Sequence, residues 1–178
     1  MEHSRELYFA LDLVAFLATL ALHLVKTNRN LIRFYLLQSL VVVAFLLAIG
    51  LAEGDRGLVI VALLSGLIKV VIAPLFFARL IRRYGTRFTT NNYLSTPLTL
   101  TVLMGLVLFS YSSIFLPLGM LVPSAFGILP LNLAMILISI FMLINRRGAF
   151  SQMVGILSLE NSILLLASFI GIRQPVAL

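Results

Sequence analysis

Six long runs of apolar residues fill almost the whole of this chain, and they leave it few ways to fold. They lie at about 8–25, 34–52, 58–80, 97–115, 121–144 and 150–171. Each is long enough to cross roughly 30 Å of hydrocarbon at about 1.5 Å per residue. In that medium a backbone must satisfy its own hydrogen bonds, so the runs predict helices. Composition agrees: 61% of residues are hydrophobic and 11% charged, whereas a soluble domain carries about 25% charged residues. The expected fold is all-α, a polytopic membrane helical bundle of about six transmembrane helices in one integral membrane domain spanning 1–178. Pro117, Pro123 and Pro130 crowd the start of the fifth run, and Pro130 is expected to kink it. The first run follows two glutamates and lacks a small-residue cleavage site, so it reads as a membrane helix and not as a cleavable signal.

The connectors predict an orientation. Lys26, Arg29 and Arg33 follow the first run, Arg79, Arg82, Arg83 and Arg87 the third, and Arg146 and Arg147 the fifth. The opposite side holds Arg5, Arg56 and Arg173, with Glu2, Glu6, Glu53 and Asp55. The positive-inside rule then places both termini outside and the odd-numbered connectors in the cytoplasm. The longest connector, within 83–96, is a possible boundary between two three-helix halves. This distribution accounts for the net charge of +7 without a nucleic-acid partner, since no basic stripe alternates with exposed aromatics.

The chain has no cysteine and only two histidines, His3 and His23. It offers no iron–sulfur ligand, no thiolate site and no histidine cluster for a metal. Nor does it contain a phosphate-binding loop, a dinucleotide fingerprint or a nucleophile–base pair. No catalytic centre is expected in it.

Ionisable residues inside the runs therefore carry the question of function, because each costs roughly 2.5–3.5 kcal/mol at the centre of a membrane helix. Asp12 and His23 fall within about a turn of the ends of the first run, where they are expected as interfacial residues. Lys69 and Glu160 fall at the middle of the third and sixth runs. A lysine stem of about 6 Å does not reach the headgroups from there, so each must face protein, buried water or the other. Lys69 shares a helical face with Ala62, Ser65, Gly66 and Ala73, a small-residue stripe suited to close packing. Pro74 follows; it is expected to kink the helix and to free the carbonyl of Val70. In the sixth run Ser151, Gly155, Ser158 and Ser162 form one face and Glu160 projects from another, so this helix is expected to be buried between neighbours. Asn161, about 100° round from Glu160, and Gln38 in the second run are candidates for hydrogen bonds across helices or to water. Two readings stay open. Lys69 and Glu160 form a buried ion pair that sets helix register, or they are sites on a proton path.

Three stretches carry a family resemblance: RFYLLQSLVVVAFLL (33–47), LIKVVIAPLFFARL (67–80) and NRRGAFSQMVGILSLENSILLLAS (145–168). With the aromatic–Tyr–x–x–Gln–Ser run, the Lys–x–x–x–x–Pro spacing and the Glu–Asn pair in order, the chain resembles the hydrogenase-4 component E family, membrane subunits of group 4, complex I-like hydrogenases and related oxidoreductases. Its last stretch is remotely similar to the K subunit of respiratory complex I and the C subunit of multisubunit cation/proton antiporters, with Glu160 about one turn later than the membrane glutamate of the K subunit. The resemblance implies a non-redox subunit of a prokaryotic cytoplasmic (inner) membrane complex. It would lie between antiporter-like pumping subunits and the membrane anchor of the redox module, with Glu160, Lys69, Gln38 and Asn161 on a proton path. Iron–sulfur clusters, and a nickel–iron site or quinone, would belong to partner subunits. The family pattern has a seventh helix, which in the K subunit brings a second glutamate. None is present here, so that acid is expected from residues beyond Leu178 or from a neighbour. Asp12 has no counterpart in the resemblance. A scaffold role in the same assembly, and a stand-alone small transporter with substrate near Pro74, are the alternatives.

Overall fold

A computed structural model of the chain describes residues 2–84, 91–121 and 127–171. Among these there is no strand. Helices α1 (Glu2–Leu24), α2 (Asn28–Glu53) and α3 (Arg56–Gly66) are followed by a π-helical turn (Leu67–Ile72) that runs directly into α4 (Ala73–Tyr84). After the connector come α5 (Thr96–Ser110), a 3₁₀ turn (Ser113–Phe115), α6 (Leu116–Leu121), α7 (Leu129–Asn145) and α8 (Ala149–Gly171). Four stretches are long and apolar enough to cross a membrane: Glu6–Leu24, Asn28–Glu53, Arg56–Arg83 and Ala149–Ser168. The pair Thr96–Ser110 and Ser113–Gly119, bent by 45°, makes a fifth if it is one span, and Leu129–Asn145 is a shorter apolar helix.

Local chemistry explains where the elements begin and end. Gly54 terminates α2 at φ 68°, a left-handed conformation that glycine adopts without a Cβ clash. The next residue, Asp55, caps α3 by accepting from the amide of Leu58 at 3.1 Å. This tight turn lays α3 on α2 so closely that a Cβ on Gly50 would lie 2.9 Å from Val59 Cγ2 and 3.1 Å from its backbone nitrogen. Gly50→Val is accordingly expected to cost about 1–3 kcal/mol, read as a lowered melting temperature of the purified chain in detergent. Loss of stability within error of zero would show that the two helices part freely.

Pro130 acts differently from the sequence expectation. Pro130 sits in the first turn of α7, where its missing N–H leaves no intrahelical bond unmade. It starts the helix instead of kinking it. Residues 122–126 of the fifth run lie outside the described residues. Pro74 follows a widened turn in which Ala73 donates to Ile68, five residues back. Pro74 has no N–H for the carbonyl of Val70, and its ring crowds that carbonyl in a regular helix; the wider turn relieves the clash. Arg56–Arg83 thus continues as one apolar span.

Helix α2 is central, packing against α1, α3, the π turn, α4 and α8, while α7 packs on α8, α5 and α1. The main core joins Phe16 and Ala15 from α1, Phe45 from α2, Leu103 from α5, Met135 from α7 and Leu165 from α8. Helices from either side of the 83–96 connector therefore share one core; residues 85–90 of that connector lie outside the described residues. A second cluster is held by Phe77 of α4, edge-on to Tyr35 of α2 and to Phe150 of α8.

One end is tied together by polar groups. Residues 91–94 run beside the α7–α8 connector, with Tyr93 donating to Asn145 O and Arg147 to Asn91 O, both at 2.8 Å. The guanidinium of Arg147 lies 4.5 Å over the Tyr93 ring. Arg146 is buried and donates to the carbonyl oxygens of Leu22 and Val25, the latter at 2.9 Å. These are end carbonyls of α1, left without helical partners and carrying the negative end of its dipole. Burial pushes Arg146 down to about 10, still far enough above neutrality to keep it charged.

Candidate functional site

The two mid-span charges meet. Lys69, in the π-helical turn, and Glu160, the central residue of α8, form an ion pair with Nζ 3.2 Å from Oε1. The pair is asymmetric: the lysine side chain is 4% exposed and the glutamate 53%. The small-residue stripe accounts for the lysine's position. Ala62 is fully buried, and a Cβ on Gly66 would meet Val43 of α2 at 3.3 Å, so α3 lies against α2 and Lys69 lies in the seam. A π-helical turn within an otherwise α-helical span often marks a functional position.

From the ion pair a hydrogen-bonded chain crosses the bundle. Lys69 Nζ donates to Asn161 Oδ1 at 2.9 Å. Asn161 Nδ2 donates to Ser39 Oγ at 2.9 Å and lies 3.5 Å from Gln38 Oε1. Gln38 Nε2 donates to Thr19 Oγ1 at 2.8 Å, and Thr19 donates to Ala15 O at 2.8 Å. Four elements contribute: α8, the π turn, α2 and α1. The Glu–Asn adjacency is what makes this possible, because a step of about 100° points Asn161 into the bundle while Glu160 stays at its outer face.

That outer face corrects one expectation. Helix α8 does bury its serine face against α7: Ser139 lies 3.1 Å from Ser158 and 3.4 Å from Ser162. The Glu160 face, however, is open within this chain, with Ile156 and Ile163 exposed beside it. Lipid-facing and protein-facing surfaces of membrane helices are alike in composition, so the sequence pattern does not separate them. Asp12 and His23 are both buried within the chain, where α7 covers the polar face of α1. Asp12 Oδ2 accepts from Asn132 at 3.1 Å. His23 Nε2 donates to Ile138 O at 3.0 Å, and its ring stacks on Phe141. Neither joins the chain that starts at Glu160.

Sequence reading missed Thr19, Ser39, Asn132 and Arg146 as partners. The spacing of Asp12, Thr19 and His23 along one face of α1 was an available signal; nothing in the sequence distinguished Arg146 from the other loop cations. Among the described residues no group of three or more His, Cys, Asp or Glu side chains is placed to hold a metal ion.

Comparisons of the chain with protein-family models, with curated proteins and with solved structures found no match.

Proposed function

We propose that this chain is a six-helix membrane subunit, with its N-terminus outside, of a complex I-like, group 4 hydrogenase-related redox assembly, and that its polar chain takes part in proton translocation. The family motifs quoted above support the assembly. The observation that carries the relay reading is the linked series Glu160–Lys69–Asn161–Ser39/Gln38–Thr19, which runs from the outer face of the chain to α1. Glu160 and Lys69 are the groups in it able to take up and release a proton. The hydroxyls of Ser39 and Thr19 can pass one along; the amides of Asn161 and Gln38 orient hydroxyls or water but do not themselves carry protons readily. An open carboxylate at mid-span fits a surface covered by a neighbouring membrane subunit, since such a group is costly against lipid. Electron chemistry, with iron–sulfur clusters and a nickel–iron site or quinone, falls to the partner subunits.

A scaffold is the second reading. The ion pair is closed and Lys69 is held by two acceptors, as expected of a fixed register lock.

Redox turnover and proton uptake of the intact complex in sealed vesicles distinguish the two. With the subunit still assembled, Glu160→Gln is expected to lower proton uptake by about tenfold or more. Unchanged uptake in an assembled complex would reject the relay and leave the scaffold.

A further inference from the structure

Between α1 and α7 lies a second polar pair, separate from the chain that begins at Glu160. Asp12 and Asn132 are both fully buried. The Asn132 amide donates to Asp12 Oδ2 at 3.1 Å and to Ile128 O at 3.4 Å. Two oxygens are left over: Asp12 Oδ1 and Asn132 Oδ1 each lack a hydrogen-bond partner.

No described side chain around the pair supplies a compensating charge. Helices α5 and α7 contain no Asp, Glu, Lys, Arg or His. The charged residues of α2, namely Arg29, Arg33 and Glu53, are near its ends and exposed. In α8 Glu160 is engaged with Lys69. On α1 itself Glu2, His3, Arg5 and Glu6 precede Asp12 by about two to three turns, Glu6 being exposed; Tyr8 is one turn away, and His23 is three turns away and bonded to Ile138 O. The residues beside Asp12, Ala15 and Phe16 among them, belong to the main apolar core. A bare carboxylate in such a place, accepting from a single amide, is very costly, and buried charges in proteins are paired, metal-bound or neutralised. Pairing is absent here among the described residues.

We propose that Asp12 and Asn132 form a buried site for one monovalent cation, a proton or Na⁺, held between α1 and α7. A proton would neutralise the acid at Oδ1. A sodium ion would take the two oxygens that lack partners, both of them hard donors suited to an alkali cation. Asn132 positions the carboxylate with one N–H, is itself held by the other on Ile128 O, and presents its own carbonyl oxygen to the cation.

The test uses the purified full chain in nanodiscs, comparing wild type with Asp12→Asn. This variant keeps the shape and an acceptor for Asn132 but has no charge to neutralise. If a proton fills the site, raising the pH from about 5 to about 9 in choline chloride lowers the wild-type melting temperature relative to Asp12→Asn by about 3 °C or more, and Na⁺ does not restore it. If Na⁺ fills it, replacing choline by Na⁺ at constant ionic strength restores the wild type and leaves Asp12→Asn unmoved. Parallel behaviour of the two proteins across pH and salt would overturn the proposal. Should Asp12→Asn fail to fold, carbodiimide labelling of wild-type Asp12, mapped by mass spectrometry, replaces it. Labelling slowed about fivefold or more by raised pH or by Na⁺ supports the site. Labelling that is absent, or indifferent to both, refutes it.

Discussion

Glu160→Gln is expected to destabilise the chain by about 3 kcal/mol, and adding Lys69→Met is expected to recover most of that loss. The glutamine keeps an oxygen for the lysine but removes the charge that offsets it. An ammonium that is 4% exposed is then left with neutral acceptors, Asn161 Oδ1 among them, and no counter-charge. Breaking a buried pair by removing one partner typically costs about 3–5 kcal/mol, whereas replacing both charges is often neutral. The lower end applies because half of the glutamate side chain is open. The same exposure predicts an asymmetry: Lys69→Met alone should cost less, since the carboxylate it strands can be solvated in detergent. Methionine fills the volume of the lysine stem, so the double variant leaves no large cavity. A double-mutant cycle on the purified chain measures the coupling. Additive losses, with no recovery in the double variant, would show that the ion pair contributes nothing to the fold. A stable double variant that still assembles also supplies the clean functional comparison for the proposed relay, because both ionisable groups of the series are gone.

How much of this was legible in the sequence depends on which physical property encodes it. Apolar run length places the long helices, and the mid-run positions of Lys69 and Glu160 mark them as costly residues needing a partner. The step from Glu160 to Asn161 already fixes that the two project from different faces. Which face is open is another matter: Ile156 and Ile163 beside Glu160 are as apolar as the core residue Leu165, because lipid and protein interior select the same side chains. The burial of Asp12 and His23 was not legible because it depends on α7, whose Asn132 side chain and Ile138 carbonyl come from far along the chain. Pro130 has two meanings, a kink within a helix or a start at its first turn, and the choice rests on where the helix begins. The π-helical turn at Lys69 has no compositional signature apart from the proline that follows it.

Arg146→Met is expected to be the most damaging single change at the polar end of the bundle, with a loss of about 2–4 kcal/mol. In the sequence this residue is one of nine basic side chains on which the expected orientation rests. In the fold it is buried, and its guanidinium serves the carbonyls of Leu22 and Val25. Methionine fills part of the space but donates nothing, so two backbone acceptors at the end of α1 lose a charge-assisted bond while shielded from water. The neighbouring His23 carbonyl keeps only its 3.4 Å contact with Asn92, too long to hold the helix end alone. Arg146→Lys should recover only part of the loss, because an ammonium is a point donor where the guanidinium presents a planar fork to two carbonyls at once. Hydrogen exchange gives the local signature: the amides in the last turn of α1 and at Tyr93 and Arg147 should lose protection in Arg146→Met, while the Lys69–Asn161 region should not. If Arg146→Met melts with the wild type and its α1 amides stay protected, the guanidinium is not what fastens this end, and the segment 91–94 with its backbone bonds to Asn145 and Arg147 holds it unaided.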